Sequence, residues 1–155
     1  MKRSIIVSAA AVALVAVAAQ PAFAAHHEEA EPAAAVTWEQ GRVTQLAGEF
    51  ASAVKGVRKA VRRAGDPGIA SMQARAHHEF EDTLRLIQNE SRHLAAELAE
   101  GQGLEETLPV YRRLRVLIRD ARDLSQKLYI GSPVQAEIDA ARAKLEKLAA
   151  YYPEV

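Results

Sequence analysis

Residues 80–103 read FEDTLRLIQNESRHLAAELAEGQG, and this stretch decides the fold class. Phe80, Leu84, Ile87, Ser91, Leu94 and Leu98 recur at steps of three and four. That spacing lines them up on one stripe of an α-helix, which must face a partner to leave water. The stripe runs back through Ala76 and Met72 to Ile69, and Gly101-Gln102-Gly103 ends it.

The same steps appear on either side. Val43, Leu46, Phe50, Ala53, Val57, Ala60 and Ala64 mark a first helix, stopped by Gly65-Asp66-Pro67-Gly68. Gly65 suits the left-handed position after a helix, Asp66 caps the next one, and Pro67 sits in its first turn, where a missing N–H costs nothing. Thr37-Trp38-Glu39-Gln40 has the Thr-to-Gln spacing of a capping box and predicts the start of the first helix. Val110, Leu114, Leu117, Ala121, Leu124 and Leu128 mark a third helix. Pro109 fits only a first turn, so regular helix is expected from near Glu106 to Leu108. After Gly131, Ser132-Pro133-Val134-Gln135 is a second capping box, and Val134, Ile138, Ala141, Leu145, Leu148 and Tyr152 mark a fourth helix that Pro153 ends.

Short turns fold consecutive helices back on one another. The expected fold is therefore all-α: an up-down-up-down antiparallel four-helix bundle, with Phe50, Phe80, Leu114 and Leu145 buried. No alternating strand pattern and no internal repeat is present. The runner-up is a long helical hairpin that oligomerises through coiled-coil seams.

Charge orders the helices. The first (residues 37–64) carries a balance of +4, the second (66–100) −4, and the third (105–130) +2. An acidic helix between two basic ones is expected to meet both. Folding about Gln102 sets Glu90 beside Arg115 and Asp82 beside Arg122, a guide to register more than a source of stability.

The N-terminus reads as an export signal. Lys2-Arg3 precede an apolar run from Ile5 to Ala19, then Gln20-Pro21 and Ala22-Phe23-Ala24, an A-x-A cleavage pattern. The run is shorter than the ~20 residues a membrane span needs. Residues 1–24 are thus expected to be a signal peptide, 25–36 a disordered polar tail, and 37–155 the bundle. The product is expected in the periplasm or outside the cell, without stable membrane insertion. Losing Lys2 and Arg3 takes the formal charge from 0 to −2. That balance supplies no field for nucleic acid, so a nucleic-acid partner is not expected. With no cysteine, disulfides, Cys-type zinc sites and covalently attached haem are excluded.

The bundle resembles the periplasmic haem-binding four-helix bundles in shape, but no motif carries the likeness. There is no Cys-x-x-Cys-His, the fourth helix has no histidine, and Met72 is the only methionine after the signal. No family follows from it.

Candidate sites are few. Cleavage after Ala24 exposes Ala25-His26-His27, where the amine, two deprotonated amides and the third-residue imidazole make a square-planar set for Cu(II) or Ni(II). Such binding weakens on acidification, because every donor must lose a proton. On the second helix, His77/Glu81 and His78/Asp82 are i,i+4 pairs, and Glu90-Ser91-Arg92-His93 is a single Glu-x-x-His where a di-iron bundle needs two. Boundary histidines paired with neighbours are the simpler reading of these. Arg112, Arg115, Arg119 and Arg122 form one row, read as a solvated flank beside the second helix or as a docking face for an anionic partner. Trp38, Tyr111, Tyr151 and Tyr152 should gather at one end, capping the core or offering a patch to a ligand or protein partner. Ser91 and Ser125 lie on core-facing stripes, and no nucleophile elbow, phosphate loop or zinc-hydrolase pair occurs. The leading expectation is a non-enzymatic exported binding or interaction protein needing no cofactor. A copper or nickel protein using its new N-terminus is the alternative.

Overall fold

Four helices account for most of the residues that the computed structural model describes, 36–65 and 71–153. They are α1 (Gln40–Ala64), α2 (Ser71–Ala99), α3 (Leu104–Ser125) and α4 (Ser132–Ala149), with no strand among the described residues. No described helix is long and apolar enough to cross a membrane. The signal peptide, its cleavage, the polar tail up to residue 35, the Ala25-His26-His27 site and the Asp66-Pro67 cap all fall outside the described residues.

The apolar stripes become the core. On α2, Ala76, Phe80, Leu84, Ile87, Ser91, Leu94 and Leu98 are all buried. Phe50, Leu114 and Leu145 are buried too. On α1 the stripe drifts: Val54 and Val61 are buried, Ala53 and Ala60 only partly so, and Ala64 is exposed. A 3.6-residue turn explains this, because a strict seven-residue repeat slips round the helix by ~20° per heptad. The small alanines ended up on the edge while the larger valines took the interior.

Three helix starts differ from expectation. No side-chain cap forms at the start of α1; Gln40 Nε2 instead donates to the carbonyls of Leu98 (2.8 Å) and Gln102 (2.9 Å). Gln40 therefore ties α1 to the end of α2, which uses it more fully than a local cap. At α4 the cap position is Gly131, with Ser132 already helical, and Gln135 turns to Asp139. α3 begins at Leu104, so Pro109 lies in the second turn. It is tolerated because it faces solvent, where water can serve the carbonyl its missing N–H leaves free. The Glu106 carboxylate accepts from Gly103 N (3.0 Å) and holds that start.

The end of α2 is closed by a glycine. Gly101 has φ +89°, Gly101 N donates to Leu98 O (3.2 Å) and Gln102 N to Glu97 O (3.1 Å), a Schellman motif. Gly48, in contrast, sits in mid-helix with open space where a Cβ would stand. Gly48→Ala is expected to raise stability by ~0.5–1 kcal/mol, whereas Gly101→Ala should lower it by about as much or more. Denaturant unfolding of both variants reads the two signs.

α1 packs against α2 and α4, and α2 against α3. Residue 58 meets 88 and residue 44 meets 98 across α1 and α2. Lys144 Nζ binds Glu49 Oε2 (2.6 Å), and Glu137 lies over Gly56, across α1 and α4. Between α2 and α3, Arg113 reaches Glu90 (3.4 Å). α3 and α4 nowhere bring their Cα atoms within 8 Å of each other. The side-to-side order is α3, α2, α1, α4, and the seam between the outer two is open.

Candidate functional site

The open seam is floored by the core. Phe50, Val54 and Val57 of α1 and Phe80, Leu84 and Ile87 of α2 form its base. Ile118, Ala121, Arg122 and Ser125 of α3 line one wall, Ile138, Ala141 and Arg142 of α4 the other, around a cavity of ≈130 Å³. Two guanidinium groups border it, and among the described residues no carboxylate lines it. Arg122 has no acidic partner within 4 Å among the described residues, and Arg142 has only Asp139 of its own helix at 3.9 Å.

This placement corrects the expected pairing of the arginine row with α2. Arg113, not Arg115, meets Glu90, and Asp82 binds Arg85 on its own helix (3.2 Å) instead of Arg122. The register is right to within two residues, but the row itself lies on the other flank of α3. Arg122 lines the seam, Arg115 lies beside the Tyr111 ring, and Arg112 and Arg119 share that side at helical spacing. Among the described residues the one carboxylate within 4 Å of Arg119 is that of Asp120, at 3.9 Å. All four are exposed.

One end of the seam is shut by aromatic rings. Tyr111 and Tyr152 stack at 4.0 Å with planes 11° apart. Trp38 stands T-shaped to Tyr152 at 5.6 Å and to Tyr151 at 6.4 Å. The four residues expected together are together. Tyr111 and Tyr152 are buried, so they cap the core; Trp38 and Tyr151 are half-buried. The Tyr152 hydroxyl lies 2.9 Å from Thr107 Oγ1, which itself donates to Gly103 O (2.7 Å). Thr107 is fully buried and has no counterpart among the expected site residues; its place one turn before Tyr111 is the signal that points to it. Burial raises both phenols, Tyr152 to about 12, while the Arg115 guanidinium offsets part of the rise at Tyr111.

On α2, His77, His78 and Glu81 bring one ligand atom each to within 4.8 Å of one another. Asp82 is not among them, because its carboxylate turns to Arg85. Nor does the Glu-x-x-His pattern form a ligand pair: Glu90 binds Arg113 and His93 Nε2 binds Glu97 at 3.2 Å. Ser91 is fully buried and Ser125 half-buried, each donating its hydroxyl to a backbone carbonyl three residues earlier.

Compared with known proteins, the chain matches no family, no curated protein and no solved structure.

Proposed function

We propose that this is a non-enzymatic, exported binding protein, an up-down-up-down antiparallel bundle released from a signal peptide. Its site is the α3–α4 seam, and its ligand is a small anionic amphiphile. The observation that carries the reading is an apolar cleft bordered by Arg122 and Arg142, with no carboxylate in its lining among the described residues. A cleft of that kind shelters an apolar chain, and a guanidinium pairs a carboxylate or phosphate at its rim. The bundle direction is supported by the opposed pairings 44–98 and 58–88 across α1 and α2 and 49–144 and 56–137 across α1 and α4, and export by the A-x-A pattern after the apolar run. The copper or nickel site at Ala25, His26 and His27 stands beside this as a separate proposal, since it needs only the free N-terminus.

Octanoate is the probe, and octanol its uncharged counterpart. Octanoate should bind the chain at one site, and Arg122→Gln with Arg142→Gln should weaken it about tenfold while barely changing octanol. Ala121→Leu, which fills the seam, should weaken both. Absence of octanoate binding, or binding indifferent to Ala121→Leu, rules the seam out.

A further inference from the structure

We infer that His77, His78 and Glu81 form a binding site for a divalent late transition metal, with zinc as the ion that fits the donor set best. Two imidazoles and a carboxylate are the three-ligand complement of an open zinc site, leaving a fourth position for water or another ligand. The three donor atoms already lie within 4.8 Å of one another. A tetrahedral zinc with bonds of ~2.0–2.2 Å holds its ligands about 3.3 Å apart, so the donors must close by about 1.5 Å at most. His78 is exposed and Glu81 half-buried, which gives both side chains freedom to move.

Two further observations point to a ligand at this place. Nδ1 of His77 is shielded from water yet has no hydrogen-bond partner among the described residues. A buried polar atom left without a partner is destabilising, and a cation relieves it when that nitrogen ligates it. Glu81 makes no ion pair within 4 Å among the described residues, in contrast to Glu90, Glu97, Asp82 and Glu49. The one histidine of the three on α2 that has found a carboxylate is His93, on Glu97. The helical spacing explains the cluster: His77 and Glu81 are one turn apart, and His78 and Glu81 are three residues apart on the adjoining flank. The site stands at the opposite end of α2 from the aromatic cap. There His77 borders a cavity with Val61, Phe80, Leu128 and Ile130.

Zinc also separates this site from the N-terminal one. The terminal set depends on deprotonated amides in a square plane, a geometry of Cu(II) and Ni(II) and not of zinc. The experiment is calorimetric titration of the intact, untagged, metal-free chain with zinc alone. One zinc should bind per chain, and His78→Ala and Glu81→Gln should each weaken it about tenfold or more, with helicity unchanged by circular dichroism. The double change of His26 and His27 to Ala should leave zinc binding unaltered. His77 is partly packed, so the test relies on substitutions at the two more accessible ligands. Imidazole resonances of His77 and His78 should shift in NMR spectra on adding one equivalent, while that of His93 stays. Failure to bind zinc, or binding untouched by His78→Ala and Glu81→Gln, overturns the site.

Discussion

Tyr152→Ala is expected to lower the unfolding free energy by ~3–5 kcal/mol, the range for deleting a buried aromatic side chain. The side chain is 2 % exposed and is held by three contacts at once: the ring stacks on Tyr111 of α3 and stands T-shaped to Trp38 ahead of α1, and the hydroxyl bonds Thr107 of α3. It is also the tie between the end of α4 and α3, which otherwise stand apart along the seam. Denaturant unfolding measures the loss; a value below ~1 kcal/mol would show that the rings do not pack the core end.

Tyr152→Phe isolates the hydroxyl, and pH gives it a distinct signature. Ionisation is resisted first by burial, with Tyr111 and Glu97 adding to it and the Thr107 hydroxyl offsetting part, and the group is pushed up to about 12 from an ordinary 10.0. Between those values the unfolded chain has released the proton and the folded one retains it. Stability from this group is therefore fully present below about pH 10 and falls as pH rises towards 12. Tyr152→Phe should flatten that fall, leaving the smaller share that Tyr111 contributes.

Leu114→Ala is expected to cost ~2–5 kcal/mol. Leu114 has no exposed surface and sits one turn along from the Tyr111 stack, where α3 faces α2 and the core has little freedom to collapse. A loss under ~1 kcal/mol in equilibrium unfolding would mean that the α3 stripe has been misassigned.

The stripes were legible because burial imposes a period on the sequence, and α2 shows it at every position from Ala76 to Leu98. Where sequence and structure part, the cause is geometric. On α1, residues one position apart compete for the inner edge, and side-chain volume gave it to Val54 and Val61 over Ala53 and Ala60. The capping patterns at Thr37 and Ser132 gave way to other partners: Gln40 found the carbonyls of Leu98 and Gln102, and Gln135 turned to Asp139 on its own helix. Charge totals placed α2 between α1 and α3, yet a sum over a helix says nothing about which flank each arginine occupies. The seam itself was not legible. Its walls draw on Ile118 and Arg142, residues with no mutual signal in sequence, and it exists because two helices fail to meet. The aromatic end and the His77–Glu81 neighbourhood were legible for the opposite reason, since chain ends and helical spacing alone bring those residues together.

The position of α4 sets an order of assembly. α1, α2 and α3 meet through consecutive hairpins, whereas α4 must return to α1 across a separation such as the 95 residues between Glu49 and Lys144. Closing that longer loop carries a larger entropic cost than either hairpin, and α4 gains only one helical neighbour in return. α4 should thus be the last helix to dock and the first to breathe away from the native fold, in the manner of a low-stability cooperative unit. Since it also forms one wall of the cleft, the width of the opening becomes a dynamic quantity. It is governed by how firmly Tyr152 latches one end of α4 and by the Lys144–Glu49 pair partway along it.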